Sequence, residues 1–139
     1  MHGRVAALDL GEIRTGVALS DPEGVIACPF EVVSSTDLSD YLGKLIREED
    51  VSEVVVGVPR TLGGDLGFQA RRVLDRLDAL KGELPGVRFV EWDERLTTRM
   101  AVAGLRDGKR TKRVGRADPV DHLAAARMLQ EYLESRRTF

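Results

Sequence analysis

Eight residues near the middle of the chain, Val51-Ser52-Glu53-Val54-Val55-Val56-Gly57-Val58, constrain the fold more than any other stretch. Val54, Val55 and Val56 are apolar and β-branched in succession, so neither face of such a strand can sit in water. Strands of this kind lie inside parallel sheets, with helices covering both faces. The flanking sequence supplies those helices. Leu38, Leu42, Leu45 and Ile46 fall at helical spacing before the run, and Ala70, Val73, Leu74, Leu77 and Leu80 fall so after it. One helix is expected to start at the N-caps offered by Ser34-Ser35-Thr36-Asp37 and to reach about Glu49. A second is expected from Gln69 to Lys81, broken by Leu84-Pro85-Gly86. Val87 to Trp92 reads as a further strand.

The N-terminal part has a different rhythm. Arg4 to Leu10 is an apolar run of strand length, closed by Asp9 and Gly11. Thr15 to Ser20 reads as a second strand, Asp21-Pro22-Glu23-Gly24 as a turn, and Val25 to about Val33 as a third strand. Pro29 there requires an edge or a bulge, because proline cannot donate to a ladder. Strands joined by such short turns pair antiparallel. After the fifth strand a short helix is expected from about Thr98 to Leu105, with Thr97 as N-cap. Asp118-Pro119 then reads as the start of a last helix, whose stripe is Ala125, Met128, Leu129, Tyr132 and Leu133. The expected fold class is α/β. Three antiparallel strands are followed by parallel ones, in a mixed five-stranded sheet flanked by helices with right-handed crossovers.

The 139 residues fit one domain, 1–139, and a 42% hydrophobic share with 32% charged residues is that of a folded chain. No apolar run approaches the roughly 20 residues that cross a bilayer, and Met1-His2-Gly3-Arg4 leads straight into a strand, unlike a signal peptide. The lone Cys28 cannot form an internal disulfide, so a cytoplasmic location is expected. One cysteine and two histidines are too few for a structural zinc site.

The net charge of −2 conceals an asymmetry. Arg106, Lys109, Arg110, Lys112, Arg113 and Arg116 face only Asp107 in that stretch, a local +5, while the rest of the chain carries −7. A basic segment on an acidic body fits a local polyanion contact, although such charge runs are usually solvated surface loops. With aromatics at 5%, few exposed rings are expected for stacking bases, which leaves phosphate contacts as the main grip.

Three acidic positions share a place in this topology. Asp9 ends the first strand, Asp93-Glu94 ends the fifth, and Asp121 lies in the first turn of the last helix. The carboxyl ends of parallel strands form the usual ligand crevice of open α/β sheets. Converging carboxylates repel unless a cation sits among them, and Mg²⁺ or Mn²⁺ prefers oxygen donors. Two such ions roughly 3.5–4 Å apart serve phosphodiester hydrolysis. The alternatives are plain ones: Asp121 complementing the helix dipole, Asp118 acting as a cap, and Asp93 or Glu94 pairing with Arg95.

Asp9-Leu10-Gly11-Glu12-Ile13-Arg14-Thr15-Gly16-Val17-Ala18 resembles the opening motif of the YqgF/RuvX family, the pre-16S rRNA nucleases also called Holliday-junction-resolvase-like. Gly57-Val58-Pro59 with the Gly63-Gly64 loop resembles its second motif. Asp93-Glu94-Arg95-Leu96-Thr97-Thr98 is similar to its third and most specific motif, and Val120-Asp121 followed by Ala124-Ala125-Ala126 resembles its last. Each motif is weak alone; four in order cover nearly the whole chain.

The resemblance implies an RNase H-like fold and a nuclease using Mg²⁺ or Mn²⁺, with two ions. Its acidic set would be Asp9, Glu94 and Asp121, and Asp93 is an additional candidate ligand. Arg14 and Arg95 are implied to hold the acidic site or a phosphate, beside Lys109, Arg110, Lys112, Arg113 and Arg116 of the basic segment. The implied task is maturing the 5′ end of pre-16S rRNA. Alternatives are a Holliday junction resolvase acting on branched DNA as a homodimer, and a non-catalytic ribosome-assembly factor. His122 departs from the family's usual small hydroxyl residue. Actin- and sugar-kinase-type ATP-binding proteins also open with Asp-x-Gly, but they clasp a nucleotide between two domains, for which there is no room.

Overall fold

The valine run does become the second strand in from one edge of a sheet with helices on both faces. The structure, a computed structural model, describes residues 3–59, 67–93 and 122–137. Its strands are β1 (Arg4–Leu10), β2 (Arg14–Ser20), β3 (Ala27–Ser34), β4 (Val51–Val58) and β5 (Arg88–Asp93). Its helices are α1 (Leu38–Glu48), which follows a single 3₁₀ turn at Ser35–Asp37, α2 (Phe68–Glu83) and α3 (His122–Arg137). The sheet order is β3-β2-β1-β4-β5. β1, β2 and β3 pair antiparallel, while β4 runs parallel to β1 and β5 parallel to β4. This is the mixed sheet expected from the sequence. The 61–66 part of the glycine-rich loop, the helix expected over 98–105, the basic segment 106–116 and the cap at Asp118 lie outside the described residues.

Alternation along the central strands decides what each face holds. Ala6, Leu8, Val54, Val56 and Val58 join a core with Leu38, Leu42 and Leu45 of α1 and Ala70, Val73, Leu77 and Leu80 of α2. Val5, Ala7, Ala18 and Val55 turn the other way, onto Ala125, Met128, Leu129, Tyr132 and Leu133 of α3. Val54 and Val56 therefore serve one helical layer and Val55 the other, which is why the run tolerates no polar residue. None of the described helices is long and apolar enough to cross a membrane.

Two differences from the expected boundaries have local causes. β3 starts at Ala27 rather than Val25, because Asp21 Oδ1 accepts from the N–H groups of Val25 (2.7 Å) and Ile26 (2.9 Å) and ties both into the turn. Gly24 sits at φ +70° in that turn, a conformation that costs glycine little. The second difference is α2, which runs from Phe68 to Glu83, where the Leu84 N–H still donates to the Leu80 carbonyl at 2.8 Å. Pro29 meets both of its expected conditions. β3 is an edge strand, and its pairing steps from Glu31 opposite Val17 to Pro29 opposite Ala18, leaving Phe30 as the extra residue of a bulge.

Candidate active site

Asp9 lies near the carboxyl end of β1, and its immediate surroundings are the main feature of this edge. Val5 and Ala7 belong to the α3-side core, so alternation puts Asp9 on the α3 face of the sheet. Its partner on β2 is Gly16. On the other side, one register step beyond Leu8 opposite Val56, stands Gly57 of β4, and Gly57 is paired with Trp92. A cross-strand row therefore reads Gly16, Asp9, Gly57, Trp92. Side chains in such a row normally touch at about 4.5–5.5 Å. Here both cross-strand neighbours of the carboxylate are glycines, so neither strand beside it presents a side chain in that row. The two oxygens of the carboxylate suit a hard cation.

Asp93 ends β5 at the same edge, opposite Val58. Val90 and Trp92 pack on the α3 side and Phe89 on the α1/α2 side. Alternation therefore gives Asp93 the face opposite Asp9. Both carboxylates reach the expected edge, but they do not share a face. Arg14 opens β2 at this edge, exposed and opposite Ser34 on β3. Glu94, Arg95, Asp121, Lys109, Arg110, Lys112, Arg113 and Arg116 lie outside the described residues.

The third element aimed at the edge is α3. Its C-terminal turns are pinned at the far end of β4. Tyr132 donates its hydroxyl to Glu53 Oε2 at 2.6 Å, and Arg136 Nη1 meets Glu53 Oε1 at 2.7 Å. The ring of Tyr132 stands edge-on to Trp92, with centroids 5.7 Å apart. Burial, and then the bond to Glu53, push the Tyr132 phenol above its usual pKa. Sixteen residues cover about 24 Å of helix, so α3 runs back from Glu53 toward the carboxyl ends of β1 and β4. His122 begins it, and among the described residues its buried Nδ1 has no hydrogen-bond partner.

The turn joining β1 to β2 is held from behind by Ser35. Ser35 is 2% exposed. Its hydroxyl donates to the Gly11 carbonyl at 2.8 Å and shares a hydrogen bond with Thr15 Oγ1 at 2.8 Å. Its N–H donates to the Ile13 carbonyl at 2.8 Å, and its own carbonyl accepts from Arg76 Nη2. Gly16 and Gly57 stand in the motifs quoted above but without a role there, and Ser35 stands in none of them. Counting the hairpin from its turn could have found Gly16, since Leu10 pairs with Thr15. Among the described residues the exposed aromatic rings are few, Phe30 at 41% and Phe68 at 75% exposure.

A five-stranded mixed sheet in this order, with an acidic residue on its central strand and helices on both faces, defines an RNase H-like fold. Two solved structures of Thermus thermophilus RuvC share it. The one in complex with a Holliday junction substrate aligns with a TM-score of 0.61 at 16% identity, over 99% of this chain and 97% of that one. The other has a TM-score of 0.57 at 16% identity, over 97% and 96%. The chain belongs to the RuvX family, described as Holliday junction resolvase, which it matches over residues 3–135. A protein of Rubrobacter xylanophilus named "Putative pre-16S rRNA nuclease" is 63% identical over 133 residues, covering 96% of this chain and 94% of that protein. One of Mycobacterium sp. (strain KMS), with the same name, is 41% identical over 141 residues, covering 98% and 82%.

Proposed function

We propose that this chain is a divalent-metal-dependent nuclease, one domain over residues 1–139, that hydrolyses phosphodiester bonds in maturing the 5′ end of pre-16S rRNA in the cytoplasm. The observation that carries the reading is Asp9 standing between two glycines on the face toward which α3 is aimed. Asp9, Glu94 and Asp121 are the oxygen donors. Mg²⁺ or Mn²⁺, as two ions, would supply charge neutralisation and an activated water at phosphorus. The names of the relatives support the substrate.

The chain's own residues have distinct tasks. Asp9 sits in a rigid central strand, so its position does not depend on a loop. Gly16 and Gly57 put no side chain beside Asp9 in its cross-strand row, where a cation held by the carboxylate would meet a phosphate. The reading takes Glu94 rather than Asp93 as the second acid, because Asp93 belongs to the other face by alternation. Asp121 immediately precedes α3, whose N-terminal end favours negative charge beside it. Arg14 and Arg95 hold phosphate oxygens, and Lys109, Arg110, Lys112, Arg113 and Arg116 grip the flanking backbone. Binding should therefore weaken steeply with salt.

The test is cleavage of an RNA carrying the 5′ extension of small-subunit rRNA, with Mn²⁺, Mg²⁺ or EDTA, beside calorimetric titration of Mn²⁺. Asp9→Asn is expected to abolish cleavage and the Mn²⁺ heat while retaining RNA binding. Unchanged cleavage by folded Asp9→Asn protein would sink the assignment. The family's description favours a second substrate, a four-way DNA junction, which a homodimer would cut as paired nicks. Paired nicks in a synthetic junction, with the RNA left intact, would select it. Retained binding with no cleavage of either would select an assembly factor.

A further inference from the structure

Behind the β1–β2 turn, on the side of Leu10 rather than Asp9, the surface opens into a cavity of about 350 Å³. That volume is in the range of small-ligand pockets. Leu10, Gly11 and Glu12 line it from the turn, and Arg72, Asp75 and Arg76 line it from α2. Arg72 and Arg76 are one helical turn apart and so share a face.

Both guanidinium groups are already positioned. Arg72 Nη1 donates to Gln69 Oε1 at 2.8 Å, and its guanidinium lies 5.9 Å from the centre of the Phe68 ring. Arg76 donates through Nη2 to the carbonyl of Ser35, the residue that braces the turn. That is one of the five N–H donors an arginine carries, and among the described residues Arg76 makes no ion pair. Glu12 is the anion nearest Arg72, but loosely so: the contact is 3.9 Å and the Glu12 side chain is 77% exposed. It can swing into water when a stronger anion arrives. Asp75, also exposed, lines the pocket as well, so Arg72 and Arg76 are balanced by Glu12 and Asp75 until Glu12 swings away. Gly11 leaves its backbone open to close approach.

Phosphate is the anion this arrangement fits, since paired arginine forks recognise its planar oxygen pairs bidentately. We propose that the cavity is a second phosphate subsite, taking a backbone phosphate of the strand whose neighbouring phosphate lies at Asp9. Asp9 and the pocket lie on opposite faces of the sheet, and Gly11, two residues beyond Asp9 and at most about 7 Å along the backbone, marks the edge over which the strand would cross from one to the other. This proposal rests on the nuclease reading for its ligand, and its test does not depend on cleavage.

The test measures binding of a fluorescein-labelled RNA duplex with a single-stranded 5′ overhang, in EDTA, across a salt series. Arg72→Gln/Arg76→Gln is expected to bind at least about tenfold more weakly, the loss of a charge-assisted hydrogen bond. It should also lower the slope of log K against log salt by about 0.7–0.9, the value of one phosphate. Glu12→Gln, which removes the competing carboxylate, is expected to bind more tightly than Glu48→Gln, an equal charge change at the end of α1. The proposal is overturned if the double variant melts like wild type and keeps both affinity and slope. Equal binding by Glu12→Gln and Glu48→Gln would also overturn it, and that arm decides if the double variant does not fold. Failure of the wild-type protein to bind the RNA would do the same. Cleavage by Asp9→Asn would instead remove the nuclease reading and leave these binding results standing.

Discussion

Replacing Glu53 by alanine should loosen the anchor that fixes where α3 ends. Glu53 is 9% exposed and holds three partners of unequal worth. The Tyr132 hydroxyl donates to Oε2 at 2.6 Å inside the core. A buried hydrogen bond to a charged group contributes about 1.5–3 kcal/mol, and its loss leaves the phenol unsatisfied. The Arg136 pair is nearly as short at 2.7 Å, but Arg136 is 43% exposed. Solvent screening limits it to about 0.2–1 kcal/mol. Arg88, at 3.7 Å and 76% exposed, should contribute close to nothing. Glu53→Ala is therefore expected to cost about 2–4 kcal/mol. At this chain length, about 4 °C per kcal/mol converts that to a melting temperature lower by about 8–16 °C. The assay is thermal and urea unfolding of wild type, Glu53→Ala, Tyr132→Phe and Arg88→Ala. Tyr132→Phe should account for most of the loss and Arg88→Ala for almost none. The reasoning is refuted if Glu53→Ala costs less than about 1 kcal/mol, or if Arg88→Ala costs as much as Tyr132→Phe. A shifted α3 should also lower cleavage, since Asp121 immediately precedes that helix.

Two further outcomes test other parts of the description. Gly57→Ala puts a methyl group beside Asp9 in its cross-strand row. It is expected to reduce cleavage about a hundredfold, the scale of a misplaced reacting group, with melting little changed; full activity would show that the row is not used. Tyr41, half-buried with its hydroxyl 2.7 Å from Glu31 Oε2, and Tyr132 both hold their protons more tightly than free phenols, burial being the largest cause in each. The unfolded chain releases those protons first, so their contribution is complete below pH about 10 and is lost as pH rises above it. Urea unfolding at pH 8 and at pH 11 should show a larger loss for wild type than for Tyr41→Phe, and equal losses would contradict this.

The elements and their class are legible from local patterns along the chain. The β-branched run at Val54 to Val56, the alternation around it, and the helical stripes of α1, α2 and α3 are local signals, and they come through among the described residues with boundary shifts of one or two residues. Asp9 at the end of a central strand was legible for the same reason. Pairing register and pleat are not local. They decided that Gly16 and Gly57 flank Asp9, that Asp93 falls on the other face, and that Arg72 and Arg76, about sixty residues further along the chain, close a pocket against Gly11. They also bring Glu53 to Tyr132 and Arg136, so that a carboxylate in an otherwise apolar strand becomes the anchor of a helix. Periodicity says which residues must be buried. Only the packing of one strand beside another says which residues meet, because that choice is made by contacts between distant parts of the chain.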